Sequence, residues 1–212
     1  MRMRRKKHLS ERLLDCSDVL IEDIFKYTKD IKSVFENSAP LHMEIGCGKG
    51  GFILGMAKKH LDTNFIAIEK NLNVLVLAAE KIKNEGIKNV KFLAGDATIL
   101  EGFQTETKAD VLYINFCDPW SKKRYAKRRL THARQLILWQ NLLKENGEIH
   151  FKTDNKDLFE FSLNSFSDFG MKLKNISLDL HNSDFTENVM TEYETMFSAE
   201  GLPIYRCEAI FK

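Results

Sequence analysis

The sequence predicts an α/β protein built on a mainly parallel central sheet with helices on both faces. Three observations predict it. Short apolar runs alternate with longer segments whose apolar residues recur at helical spacing, and a glycine cluster stands between the first clear strand and the helix after it. No repeat, low-complexity tract or Gly/Ser linker divides the chain. At 212 residues, with 43% apolar and 29% charged residues, 3 Pro and 11 Gly, the chain can bury a core and is neither disordered nor collagen-like.

The elements follow in order. Residues 1–18 are basic and polar without sustained periodicity and read as a mobile arm, which leaves 19–212 as a single domain. Across 19–38, Leu20, Ile24, Ile31 and Phe35 fall near helical spacing, interrupted by Thr28 and Lys29. After Pro40, residues 41–45 read as a strand running into the glycines and 52–61 as a helix. A strand over 64–69, a helix over 73–84 and a strand over 90–93 come next. The apolar run 111–116 has the look of a strand buried on both faces. An apolar stripe through Leu136, Ile137, Trp139, Leu142 and Leu143 makes 130–144 a helix. Residues 148–152 read as a strand, 158–169 as a helix, and 174–180 and 204–211 as two final strands. Ligands of such sheets bind beyond the carboxyl ends of the central strands, so the chemistry is expected after the first, second and fourth strands.

Charge is unevenly placed. The formal net charge is +2, yet residues 1–12 carry +5 and residues 121–135 carry +7, so the remainder is acidic. Two concentrated basic segments on an acidic body suit a polyanionic partner. No apolar stretch approaches the ~20 residues needed to cross a bilayer, and no signal region follows the basic start, so a cytoplasmic protein is expected. Cys16, Cys47, Cys117 and Cys207 lie far apart without zinc-ligand spacing, which predicts reduced thiols and no metal.

The first chemical candidate is Glu44-Ile-Gly46-Cys-Gly48-Lys-Gly50-Gly51, between a predicted strand and a predicted helix. Gly46, Gly48 and Gly51 match the dinucleotide fingerprint, with Glu69 about twenty residues on, where an acid can hold ribose hydroxyls. Glu44 argues against a pyrophosphate, because a carboxylate two residues before the first glycine repels it. S-adenosylmethionine carries an ammonium, a sulfonium, a ribose and an adenine but no phosphate. Glu44 near its amino-acid part, Glu69 on its ribose and Asp96 at its adenine amino group suit that ligand.

The second candidate is Asn115-Phe-Cys-Asp118-Pro119-Trp120, at the carboxyl end of the most apolar strand. Pro119 biases Asp118 toward an extended conformation, and the indole of Trp120 offers a surface on which an extruded base can stack. Next to it, residues 122–134 place positive charge on every helical face, which excludes a core helix there. If about six phosphates are engaged, log K falls against log salt with a slope near −5.

EIGCGKG, the acids at Glu69 and Asp96, and DPWSKKRYAKRRL together resemble the bacterial tRNA guanine N-7 methyltransferases, as do Lys152-Thr-Asp154-Asn155 and Thr191-Glu-Tyr-Glu194. The likeness covers roughly residues 41–201. It implies a Rossmann-like class I methyltransferase fold with an antiparallel C-terminal strand, S-adenosylmethionine as cofactor, and the variable-loop guanine of tRNA as the methylated base. It implies cofactor contacts at Glu44, Gly46, Gly48, Glu69, Asp96 and Asp118, with Asp118 also the catalytic aspartate. It places substrate contacts at Lys122, Asp154, Thr191, Glu192, Tyr193 and Glu194, beside RNA contacts at Arg124, Lys127, Arg128 and Arg129. No membrane or metal enters, and the protein is expected as a monomer or homodimer.

Ser121 stands where the family usually has Pro, and Tyr125 where it often has His. Thr191 with Glu194 also spells a helix capping box, and Asp154 suits a helix N-cap. Read from the residues, a nicotinamide oxidoreductase and a non-catalytic RNA-binding module remain beside the methyltransferase, and cofactor binding separates the three.

Overall fold

The computed structural model describes residues 6–212. The calls on Arg2, Arg4 and Arg5 lie outside the described residues. The chain packs as two units, Met1–Thr107 and Lys108–Lys212.

In the first unit a helix α1 (Leu9–Asp15) precedes a short strand β1 (Leu20–Ile21). Then β2 (Leu41–Ile45), α2 (Gly51–Lys59), β3 (Asn64–Glu69), α3 (Leu72–Asn84) and β4 (Val90–Ala94) alternate. The strands order β1-β4-β3-β2, all parallel. Every residue of β3 is buried, as a central parallel strand requires. Phe52, Ile53, Met56 and Ala57 of α2 and Leu75, Val76, Ala78, Ala79 and Ile82 of α3 supply the helical side of the core.

In the second unit β5 (Ala109–Asn115), α4 (Ala133–Leu142), β6 (Leu143–Thr153), α5 (Lys156–Asp168), β7 (Lys172–Ser177), α6 (Glu192–Ala199) and β8 (Tyr205–Ile210) follow. The strands order β5-β6-β8-β7. β5 and β6 are parallel, whereas β8 runs antiparallel to both β6 and β7. The expected antiparallel C-terminal strand is present. Fully buried Trp139 ties α4 to the chain before it by donating to the Leu130 carbonyl at 2.8 Å.

Four expectations change. Residues 9–18 are not an unstructured arm: α1 docks on α3 through Leu9, Cys16 and a two-pronged ion pair from Arg12 to Glu80, at 2.6 and 2.7 Å. Its apolar content is too sparse for periodicity to reveal, and the docking groups come from α3. The helix expected across 19–38 is instead β1 and two 3-10 turns, Ile24–Tyr27 and Ile31–Val34. Asp23 and Asp30 cap those turns by accepting from the amides of Phe25 and Lys32, a local bonding that competes with continued helix. α4 ends at Leu142 and β6 begins at once; just inside β6 Asn146 takes a positive φ of 60°, and a Cβ on Gly147 would come within 2.8 Å of Leu143 Cβ and the Lys144 carbonyl. Finally, 192–199 is a helix where the sequence shows only its capping box.

Candidate functional site

The glycine turn after β2 is built to be tight and open. Gly46 and Gly48 have φ of 80° and 56°, a region that side chains disfavour, and a Cβ on either would meet nothing within 4 Å. Gly50, also left-handed, begins α2 where a Cβ would come within 2.9 Å of Ala78 Cβ, so α2 and α3 approach at glycine distance.

Four backbone N–H groups of this turn are already employed. Those of Gly46 and Cys47 donate to the Ile68 carbonyl at 2.8 and 3.1 Å, and that of Gly50 to the Cys47 carbonyl at 3.0 Å. Gly48 donates to Glu69 Oε2 at 3.1 Å, while Glu69 Oε1 accepts from Asn71 at 2.8 Å. A dinucleotide site needs such N–H groups aimed at phosphate. Here the amides of Gly46, Cys47, Gly48 and Gly50 are spent on two carbonyls and a carboxylate.

Three carboxylates lie at the carboxyl ends of adjacent parallel strands. Glu44 is the penultimate residue of β2 and fully buried, Glu69 ends β3 and is buried, and Asp96 lies two residues past β4 and is exposed. Asp96 Oδ1 accepts from the Thr98 amide at 3.1 Å and so caps the turn that follows. Acids and open space, with the Gly46, Cys47, Gly48 and Gly50 amides bonded within the protein, fit a cationic ligand that carries a diol and no phosphate.

In the second unit Asp118 is exposed, in the loop that leaves β5. Two bulky residues around it have left-handed backbone, Phe116 at φ 50° and Trp120 at φ 43°. Such conformations cost about 1–3 kcal/mol each and persist only where the surroundings hold them. They are held. Phe116 donates to the Lys152 carbonyl at 2.9 Å and its ring stacks on Phe197, whose other neighbour is Tyr193. Arg129 donates to the carbonyls of Pro119 (3.0 Å) and Trp120 (3.3 Å), with its guanidinium over Phe161. Burial, with the Asp118 charge adding to it, pushes the Cys117 thiol up to about 12, so this neighbour is a neutral group and no nucleophile.

The basic segment forms a 3-10 turn, Lys123–Arg128, with no buried residue. Arg128 lies over both Trp120 and Tyr125 and Arg124 over Tyr125, at 4.8–5.0 Å. Lys122, Arg124, Lys127 and Arg128 are exposed, as an RNA contact requires. Arg129 is half-buried, and its bonds to the loop carbonyls, with its guanidinium over Phe161, brace the Asp118 loop.

The remaining substrate candidates divide. Asn155, not Asp154, caps α5 by accepting from Leu158 at 2.8 Å, and no hydrogen bond to the Asp154 carboxylate exists among the described residues. Thr191 and Glu194 form the capping box of α6. Glu194 is wholly buried, with Lys152 Nζ at 2.7 Å from Oε2 and His181 Nε2 at 3.3 Å from Oε1. Glu192 is half-buried, and of the four residues Tyr193 faces outward. Sequence reasoning missed Lys152 as the partner of Glu194. Nothing in the sequence of β6, which also carries Lys144, Glu145, Glu148 and His150, sets Lys152 apart from its other charged residues.

Comparison with known proteins identifies the lineage. A family model described as "Putative methyltransferase" matches residues 38–207. A curated tRNA (guanine-N(7)-)-methyltransferase from Halalkalibacterium halodurans is 48% identical over 212 residues, covering 100% of this chain and 96% of that protein. One from Streptococcus agalactiae is 46% identical over 211 residues, with 100% of each chain covered. The chain belongs to the tRNA (guanine-N(7)-)-methyltransferase family. Its fold is shared more widely. A precorrin-6y C5,15-methyltransferase from Geobacter metallireducens superposes with TM-score 0.54 at 14% identity, over 98% of this chain and 94% of that one. A SAM-dependent methyltransferase from Aquifex aeolicus gives 0.56 at 11% identity, over 98% and 100%. The Rossmann-like methyltransferase fold expected from the sequence is therefore present.

Within this methyltransferase family member, a further charged cluster stands apart from the candidate residues. Glu148, His150 and Glu208 bring ligand atoms within 4.8 Å of one another. Lys174 lies 2.8 Å from Glu148, and Arg206 pairs with Glu208, so protein cations already answer both carboxylates. The His150 hydrogen bond, with Lys174 adding, lowers the Glu148 carboxyl to about 2 despite partial burial. No helix among the described residues is long and apolar enough to cross a membrane.

Proposed function

We propose that this protein transfers the methyl of S-adenosylmethionine to N7 of the variable-loop guanine of tRNA, in the cytoplasm. The observation that carries the cofactor assignment is the employment of the Gly46, Cys47 and Gly48 amides by Ile68 and Glu69, beside the buried carboxylate of Glu44. It disfavours the nicotinamide reading for the same reason. The full-length identity with curated relatives of that name supports the substrate.

Glu69, pinned from behind by two amides, keeps its outward lone pairs for ribose hydroxyls, Glu44 answers the ammonium, and Asp96 accepts from the adenine amino group. The open space before Gly46 and Gly48 admits the ligand's backbone-close portion. Bound there, S-adenosylmethionine supplies a methyl made electrophilic by its sulfonium.

Guanine N7 has a free lone pair, so no proton must leave before attack and no general base is required. The rate then depends on alignment of acceptor and donor in a desolvated setting. Asp118 orients the base. Because the N7 and O6 edge offers only acceptors, its carboxylate takes protons from the Watson–Crick edge, while Lys122 donates to O6 or a neighbouring phosphate. Arg124, Lys127 and Arg128 neutralise the RNA backbone, and outward-facing Tyr193 offers a ring to the substrate.

The test is incubation with methyl-labelled S-adenosylmethionine and unmodified tRNA, followed by chemical cleavage at 7-methylguanosine. Cleavage at the variable loop with label there is expected. Label on another atom or another loop would remove the assigned position, and no label in any tRNA would remove the activity.

A further inference from the structure

The turn that carries the basic segment is poor in counter-charge and rich in rings. Residues 121–135 hold seven Lys or Arg and no acid, so the segment supplies no anion of its own. Within the 3-10 turn Lys123–Arg128, residues three apart eclipse each other, and Tyr125 and Arg128 therefore share a face. Backbone bonds fix the turn at both ends, from the Tyr125 amide to the Lys122 carbonyl at 2.8 Å and from the Arg129 amide to the Ala126 carbonyl at 3.0 Å.

Four planar groups meet there. The Arg124 guanidinium lies over the Tyr125 ring, 4.8 Å from its centroid, and the Arg128 guanidinium lies 5.0 Å from the same centroid and 4.9 Å from that of Trp120. The two rings themselves meet edge-on, 6.0 Å apart at 67°. Trp120 reaches this position with a left-handed backbone, at φ 43°, while Arg129 donates to the carbonyls of Pro119 and Trp120 at 3.0 and 3.3 Å. The three arginines thus divide: Arg129 braces the loop, and Arg124 and Arg128 are exposed. Two cations that share one ring are each drawn to its π-electrons while they repel one another, an arrangement that an anion completes.

A long arginine side chain that is ordered before binding loses less freedom on binding, and its planar guanidinium matches a phosphate. We propose that Tyr125 is a positioning residue for the RNA: its ring, with that of Trp120, holds Arg124 and Arg128 as an ordered pair that grips the phosphate backbone of the substrate tRNA. The inference rests on the tRNA reading above. It gives Tyr125 a role exerted through two arginines, with no contact to the methylated base or the methyl donor.

The experiment measures Kd and KM for tRNA, kcat at saturating tRNA, and S-adenosylmethionine affinity, on the full chain and on variants. Tyr125→Leu removes the ring from a turn with no buried residue, and is expected to raise Kd and KM for tRNA about tenfold, the scale of two side chains left to be ordered on binding, with kcat and cofactor affinity unchanged. Tyr125→Phe keeps the ring and is expected to stay within about twofold of the wild type. Arg124→Gln with Arg128→Gln is expected to make the slope of log K against log salt shallower by about 2, and in that background Tyr125→Leu is expected to add nothing. In the free protein, NMR is expected to find the side-chain protons of Arg124 and Arg128 shifted upfield by the rings, and those of Arg124 returned to ordinary positions in Tyr125→Leu.

A further loss of the same size from Tyr125→Leu in the double-glutamine background overturns the proposal, because Tyr125 then touches the RNA itself. An unchanged KM in Tyr125→Leu, an effect confined to kcat, a Tyr125→Phe protein as weak as Tyr125→Leu, an unchanged salt slope without the two arginines, or arginine protons at ordinary shifts in the wild type overturns it equally. Failure of the tRNA reading shows separately, as absence of methyl transfer by the unaltered chain while the ring shifts of the free protein persist.

Discussion

Lys152 Nζ lies 2.7 Å from Glu194 Oε2, and both groups are buried. The pair joins β6 to α6, and α6 in turn holds Phe116 against Phe197, so it braces the backbone that presents Asp118. Removing one partner strands a buried charge, which costs about 3–5 kcal/mol. Lys152→Met or Glu194→Gln is therefore expected to lower the midpoint of thermal unfolding sharply, while Lys152→Met with Glu194→Leu recovers much of it. A Glu194→Gln protein of full stability with only a raised KM for tRNA would make Glu194 a substrate contact instead.

Asp118 sits exposed in the loop between two left-handed residues, Phe116 and Trp120, outside the core. Asp118→Ala is expected to keep wild-type stability and to lose about 10²-fold in kcat, the scale of a misaligned reacting group. Single-turnover methyl transfer with saturating tRNA measures it. Near-normal turnover would remove Asp118 from the reaction.

Gly50 and Gly46 separate packing from ligand space. Gly50→Ala combines a φ of 77° with a Cβ 2.9 Å from Ala78, and is expected to destabilise by about 1–3 kcal/mol, partly relieved by Ala78→Gly. Gly46→Ala meets nothing within 4 Å, so its stability cost is about 1 kcal/mol of backbone strain. Its larger effect is expected on S-adenosylmethionine affinity. Denaturant unfolding beside calorimetric titration of the cofactor reads both.

Acid stability should report Glu148. Its carboxyl titrates at about 2 in the fold, held down first by His150 and then by Lys174, against an ordinary value of 4.5. A carboxylate lowered on folding contributes stability that is fully present above its unfolded value and is lost as pH falls through the folded one. The protein is therefore expected to lose stability from about pH 4.5 down to 2, and Glu148→Gln to flatten that stretch while lowering stability at neutral pH. Chemical denaturation across that range, in the wild type and the variant, checks it.

The sequence by itself determined the alternation of strands and helices and the chemistry of the glycine turn. β2 and β3 fall at 41–45 and 64–69 as read; β3, buried at every residue, writes its burial into the consecutive apolar run 65–68. The positions of Glu44, Glu69 and Asp96 follow from the same local pattern. Only tertiary structure decided that residues 9–15 form a docked helix, that 19–38 break into capped turns, that Arg129 braces a loop and that Glu194 faces Lys152. It alone also decided that Ile68 and Glu69 accept from the Gly46, Cys47 and Gly48 amides. Apart from the locally capped turns of 19–38, these depend on distant partners, as Arg12 does on Glu80, 68 residues away, and Glu194 on Lys152, 42 residues away. Periodicity records which side of an element is apolar, and it holds no record of which distant group will meet a given charge.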